Sequence, residues 1–200
     1  MNKQININLV LSELKSIADL ELLNKHSDKE RFSKDFFDYS PILKEKLENC
    51  IADIVVRPLT VEAILNVVKT CKRYKIYLTI RGAGTGNYGQ CVPLEGGVVM
   101  IMSGLKRIRN FDQDTGAVTV ESGCLLRDLE TELAEHQRQL RLMPSTWRSA
   151  SIGGFIAGGS GGIGSVRWGF LRDPGHLLGL EIVTLDDNPQ KIHLNAEEAE

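Results

Sequence analysis

The spacing of apolar and polar residues changes several times along this chain, and each change marks an element. Over the first 23 residues Leu11, Leu14, Ile17 and Ala18 recur at helical spacing, which predicts a helical lead-in over residues 1–30 with a polar, charged connection through Lys34. Asp53 to Val56 is a short apolar run ending at Pro58, a strand. Thr60 is placed to cap the next helix, whose inner face would be Val61, Ile64, Leu65, Val68 and Cys71. Ile76 to Ile80 predicts a second strand, running directly into the glycine-rich stretch Arg81 to Gln90. Val98 to Met102 has the continuous apolar character of a strand buried on both faces, whereas Ala117 to Glu121 alternates as a half-exposed one does. Leu125, Leu126, Leu129 and Leu133 line one face of a helix reaching about Arg138, short of Pro144. After a second glycine-rich stretch, Leu177 to Leu185 and Lys191 to Leu194 predict paired strands joined by a turn at Asp187, Asn188 and Pro189, and Asn195 is placed to cap a helix beyond them.

Two hundred residues with 42% hydrophobic and 25% charged side chains suit one domain, or one domain with a small subdomain. Lys and Arg number 24 against 26 Asp and Glu, so the charge carries no footprint of a polyanion and nucleic acid is excluded as a partner. The N-terminus has neither a basic start nor a continuous apolar run, so neither a signal peptide nor a membrane span is expected. Cys50, Cys71, Cys91 and Cys124 form no Cys-x-x-Cys pair and are expected as reduced core thiols of a cytoplasmic protein. His26, His136 and His193 lack metal-ligand spacing, so no metal site is predicted; His176 reads as a surface-loop residue.

Most of the 19 glycines fall between residues 82 and 97 or between 153 and 169. Gly84, Gly86 and Gly89 satisfy Gly-x-Gly-x-x-Gly after a strand, the fingerprint of a nicotinamide-dinucleotide site. That fingerprint requires a helix to begin inside it, and Pro93, Gly96 and Gly97 break one. The alternative is a nest of backbone amides holding a phosphate, with Arg81 as a fixed charge at the entrance and Thr85, Asn87 and Gln90 as added donors. A ligand-free hairpin is the competing reading. The second cluster, from Ala150 to Gly169, holds eight glycines yet carries core-type Ile152, Phe155, Ile156, Ile163 and Trp168, which a flexible linker lacks. Two such loops suit an elongated ligand bearing a diphosphate. Arg167 and Trp168 either stack near that ligand or form a buried Trp beside a surface Arg.

In order along the chain, these pieces resemble the FAD-binding domain of the vanillyl-alcohol oxidase and p-cresol methylhydroxylase type, close to the D-lactate dehydrogenase and glycolate oxidase group. The family's Arg-Gly-Gly-Gly-Thr loop is similar to Arg81, Gly82, Ala83, Gly84, Thr85, and its Pro-Ser element to Pro144, Ser145, Thr146. Its Thr-Ile-Gly-Gly element is similar to Ser151, Ile152, Gly153, Gly154, and its Gly-Leu-Glu-Val-Val strand to Gly179 to Val183, which includes Ile182. The resemblance covers residues 31 to 194 and implies an α+β fold in which two small αβ subdomains clasp FAD. By it, the loop from Arg81 through Gly86, Asn87, Gly89 and Gln90 grips the pyrophosphate, while Pro144 to Thr146, Ser151 to Gly154 and Ile182 run beside the ribityl chain and ring. Some relatives attach the flavin covalently through a histidine in the first loop; Thr85 stands there, so FAD is expected to be non-covalent.

The implied activity is oxidation of a 2-hydroxy acid such as D-lactate or glycolate by hydride transfer to flavin, with reoxidation by an electron acceptor or partner subunit. Phe155 and Gly159 occupy positions where the hydroxy-acid group often carries asparagines, and Asp173 to Gly179 is slightly longer than in relatives. Family members continue with a further strand and a cap domain that shapes the substrate pocket. Residues 31–200 are therefore expected to be an incomplete FAD-binding domain, inactive alone, and no catalytic residue is assigned. Two other readings stay open: a non-catalytic flavin-binding subunit of a complex, or a reductase resembling UDP-N-acetylenolpyruvoylglucosamine reductase.

Overall fold

The computed structural model describes residues 6–36, 40–159 and 161–196. It divides into a first unit, Met1–Gly104 with Val183–Lys191, and a second, Leu105–Ile182 with Ile192–Glu200. The first unit is built on a four-stranded sheet in the order β1-β2-β4-β3. Its strands are β1 (Leu20–Leu22), β2 (Ile54–Pro58), β3 (Leu78–Arg81) and β4 (Val98–Ile101). β2 and β3 both run parallel to β4, with Ile54 and Leu78 opposite Val98, and β1 closes one edge antiparallel, Leu20 opposite Pro58. Val98, Val99, Met100 and Ile101 are all buried, as a strand covered on both faces must be.

Helices α1 (Ile7–Lys15), α2 (His26–Phe32), α3 (Pro41–Leu47) and α4 (Val61–Tyr74) complete this unit. α4 begins where Thr60 Oγ1 accepts from the Ala63 amide at 3.1 Å and ends at Lys75 in the left-handed region, φ 54°. Its buried face is Ala63, Ile64, Val67, Val68 and Cys71, rotated from the expected one: Val61 and Leu65 are only half-buried. α1 buries Val10 and Leu14 and is held to α4 by Glu13, which accepts from Thr70 at 2.9 Å and Arg73 at 2.8 Å.

The lead-in is not simply helical. After α1 the chain turns at Asp19, φ 55°, and forms the sheet strand β1, and the charged connection that follows contains α2. A three-residue strand bounded by short polar stretches has too few apolar positions to show a period of two. α3, capped by Ser40 Oγ on the Leu43 amide at 3.3 Å, was likewise not evident, because its exposed face leaves only Leu47 buried.

The second unit begins with the hairpin β5 (Ile108–Phe111) and β6 (Val118–Val120), closed by Asp112, whose Oδ1 accepts from the amides of Asp114 at 2.9 Å and Thr115 at 3.1 Å. α5 (Leu126–Glu135) packs Leu129 and Leu133 with Cys124 against Ile108, Phe111, Val118 and Val120. A second cluster joins Leu126, Leu142, Ala150 and Phe155. The later glycine-rich stretch, expected as a loop, contains two helices, α6 (Ile152–Gly158) and α7 (Ser165–Trp168). β7 (Gly179–Val183) and β8 (Lys191–Asn195) then pair as expected, while a helix beyond Asn195 falls largely outside the described residues.

Glu121 follows β6 with its carboxylate buried. It accepts from the Arg107 amide at 2.8 Å and from the side chains of Arg107 and Arg109 at 2.9–3.2 Å. Burial pushes its pKa up, but the bonds from Arg107 and Arg109 outweigh that and hold it below the ordinary carboxylate value. A folded-state pKa below the unfolded one gives stability that is complete above the unfolded value and is lost as pH falls through the folded one. Glu121→Gln should therefore cost about 2 kcal/mol near pH 7, modest for a buried pair because both arginines reach solvent. In urea denaturation the gap between wild type and variant should close as pH falls below about 4; a constant gap would show that the charge contributes nothing.

Candidate functional site

Arg81 ends β3 at the carboxyl edge of the parallel strands, where open α/β sheets bind ligands. Because β3 and β4 are parallel neighbours, residues 82–97 must run back across the sheet, and they do so without a helix, as Pro93, Gly96 and Gly97 require. Gly84 and Gly89 take φ of 73° and 78°, the left-handed region that turns successive amides to one side. The amides of Gly82, Ala83, Gly84, Thr85, Gly86 and Asn87 donate to no described residue, although all but Asn87 are half-buried. Backbone donors so placed demand an external acceptor, and a run of them fits a diphosphate.

Arg81 itself is folded beneath this loop. Its guanidinium is buried and donates to the Lys34 carbonyl and to Cys91 Sγ at 2.9 Å, with the Phe32 ring 5.9 Å away. A Cβ on Gly84 would fall on that guanidinium, so the glycine at this position makes room for Arg81 as well as for a ligand. Gln90 turns its Oε1 under Gly86 and accepts from the Tyr88 amide at 3.1 Å, and Gly89 lies against Leu47. Burial pushes the Cys91 thiol up more than Arg81 draws it down.

The remaining candidate residues lie in the second unit. Pro144, Ser145 and Thr146 open a run of turns, the Pro144 carbonyl accepting from Trp147 at 3.1 Å and the Thr146 carbonyl from Ala150 at 2.9 Å, which leads directly to Ser151. The amides and hydroxyls of Ser145 and Thr146 donate to no described residue. The first turn of α6 is different. Ile152 donates to the Cys124 carbonyl at 2.9 Å, Gly153 to the Ser122 carbonyl at 2.8 Å, and Gly154 to Ser151 Oγ at 3.4 Å. A Cβ on Gly153 would strike Ser122, so this glycine serves close packing of the chain on itself. Ile182 stands apart on β7, with no described hydrogen bond to either run.

Trp168 is not buried: it is two-fifths exposed, with the guanidiniums of Arg167 and Arg141 at 4.7 and 5.3 Å from its ring centre. His176 donates through Nε2 to the Trp168 carbonyl at 2.7 Å. Among the described residues no three His, Cys, Asp or Glu side chains gather as metal ligands, and no helix is long and apolar enough to cross a membrane.

Lys34 and Phe36, which hold the first loop, and Ser122 and Cys124, which receive the first turn of α6, were not among the expected site residues. All four act through main-chain atoms, which leave no side-chain signature; for the loop, the detectable signal is the pairing of Arg81 with a glycine three residues on.

Three relatives share part of this sequence: the mitochondrial D-2-hydroxyglutarate dehydrogenase of Danio rerio (30% identical; 68% of this chain, 25% of the relative), a D-lactate dehydrogenase of Anaerostipes hadrus (34%; 60% and 25%) and the glycolate oxidase subunit GlcD of Escherichia coli K12 (31%; 66% and 26%). The chain thus spans about a quarter of the length of these curated relatives. The fold is that of an alkyldihydroxyacetonephosphate synthase (TM-score 0.73, 19% identical; 96% of this chain and 35% of that one) and of a Physcomitrella patens BBE-like 1 variant (0.75, 20%; 96% and 38%). Residues 52–191, well over half the chain, match the family described as "FAD binding domain". The helix-free loop of unsatisfied amides and the family match agree: the chain belongs to the FAD-binding domain family, and FAD is its cofactor.

Proposed function

We propose that this chain is the cofactor-holding part of an oxidoreductase that oxidises a 2-hydroxy acid such as D-lactate or glycolate. The observation carrying the cofactor's place is the run of six amides from Gly82 to Asn87 without acceptors among the described residues. Support for the substrate class comes from the names of the relatives, whose substrates (D-2-hydroxyglutarate, D-lactate and glycolate) are all 2-hydroxy acids. In this reading the amides from Gly82 to Asn87, with Thr85, Gly89 and Gln90, seat the diphosphate, and Arg81 holds the loop from beneath. Ser145 and Thr146 supply donors to the ribityl chain, while Ser151 to Gly154 and Ile182 form wall rather than amide contacts, because the α6 amides are already bonded. When bound, FAD supplies the hydride acceptor as the substrate's carbinol carbon becomes a carbonyl. A second reading, a subunit whose partner completes the site, is favoured by the name of GlcD, itself a subunit. The cytoplasm is the proposed compartment, on the strength of four free cysteines, of which burial pushes Cys71 up to about 12 and leaves it inert.

Thr85→Asp sets a carboxylate where the diphosphate is proposed to sit and should weaken FAD binding roughly 100-fold in equilibrium titration; unchanged affinity would remove the loop from the site. Acid precipitation of the flavoprotein should leave the yellow cofactor in the supernatant, and flavin retained on a peptide containing Thr85 would contradict the non-covalent reading. Anaerobic addition of D-lactate, glycolate or D-2-hydroxyglutarate to the longest natural form of the flavoprotein should bleach the flavin band. Bleaching by none of them would reject the substrate class while leaving FAD binding intact.

A further inference from the structure

A loop that aims several N–H groups at one point is under electrostatic strain, because the positive ends of its peptide dipoles converge. It therefore needs ties that do not use those donors. Among the described residues, the main chain of residues 82–88 makes a single main-chain hydrogen bond: the Gly86 carbonyl accepts from the Phe36 amide at 2.8 Å. The other support from that side is the Arg81 guanidinium, which donates to the Lys34 carbonyl and stacks near Phe32. Both ties lead to the five residues from Phe32 to Phe36. That segment is itself anchored, since Ser33 is fully buried and its Oγ accepts from the Ala52 amide at 2.9 Å, next to β2. It lies ahead of residue 52, where the match to the FAD-binding family begins.

We propose that residues 32–36 are a positioning element for the diphosphate loop: Phe36 N–H fixes Gly86, the Lys34 carbonyl fixes Arg81, and cofactor affinity is set in part from outside the matched region. Phe36 is half exposed, and its role runs through the amide, not the ring. The inference rests on the loop being the seat of the diphosphate, as proposed above.

The test compares Phe36→Pro, which removes the donor, with Phe36→Ala, which keeps it. Affinity for FAD and for ADP, which shares the diphosphate but lacks the flavin, is measured together with the thermal midpoint of the cofactor-free protein. Phe36→Pro should weaken both ligands roughly tenfold, the scale of one lost hydrogen bond, with the thermal midpoint of the cofactor-free protein lowered by about 2–4 °C at most, and Phe36→Ala should bind as wild type. Equal affinities in the two variants would overturn the proposal, as would a fall in thermal midpoint large enough to leave the cofactor-free protein partly unfolded at the titration temperature. Should Phe36→Pro fail to fold, replacing the Phe36 amide with an ester removes the same donor by changing one atom, and the same results decide. Thr85→Asp separates the two ideas: if it binds FAD normally, the seat is wrong; if it does not, while Phe36→Pro matches Phe36→Ala, only the positioning role fails.

Discussion

A peptide N–H without a partner in its own chain is open to an outside acceptor, and the first unit carries six consecutive ones that find none among the described residues, from half-buried Gly82 to exposed Asn87. The parallel sheet delivers them: β4 is buried on both faces, β3 lies beside it, and the connection between two parallel neighbours has to start at the carboxyl edge and travel back. In most such connections a helix does the travelling and satisfies the amides as it goes. Here Pro93, Gly96 and Gly97 forbid the helix, so the donors stay open and the loop is held by Arg81 beneath it.

The two glycine-rich stretches look alike in composition and differ in physical purpose. In the first, glycine permits positive φ and leaves room under Gly84 for a guanidinium. In the second, Gly153 lets the start of α6 press against Ser122, and the helix amides are consumed by the carbonyls of Ser122 and Cys124. A shared residue type thus produces an open donor array in one place and a closed, self-satisfied helix start in the other. What separates them is whether a facing carbonyl lies within reach, which is a matter of tertiary structure.

That distinction also explains what could be read from the residues alone. β2, α4, β4 and α5 were legible because each buries a continuous or periodic apolar set, such as Leu126, Leu129 and Leu133. The helix-free character of residues 82–97 was legible because proline and glycine act locally. β1, α2 and α3 were not, since each is short and presents few apolar positions, and α4 turned by a fraction of its circumference once Ala63 proved a better packing surface than Val61. The inward folding of Arg81 and the roles of Lys34 and Phe36 were illegible for another reason: Lys34 and Phe36 take part through main-chain atoms distant in sequence, which leave no trace in side-chain identity.

The hairpin of β7 and β8 has its turn, residues 183–191, in the first unit, where Lys72 of α4 binds Asp187 at 2.9 Å and donates to the Asp186 carbonyl. Residues 105–182, by contrast, belong to the second unit. Neither unit is a continuous stretch of chain. A ribosome making this protein therefore has the four sheet strands of the first unit in hand by Ile101, yet Lys72 of α4 cannot meet its partners until Asp186 and Asp187 have emerged, well after the whole of residues 105–182. Gene fragments cut at Gly104 would encode a sheet whose outer helix keeps Lys72 bare, so the order of synthesis and the order of assembly are out of step in this fold.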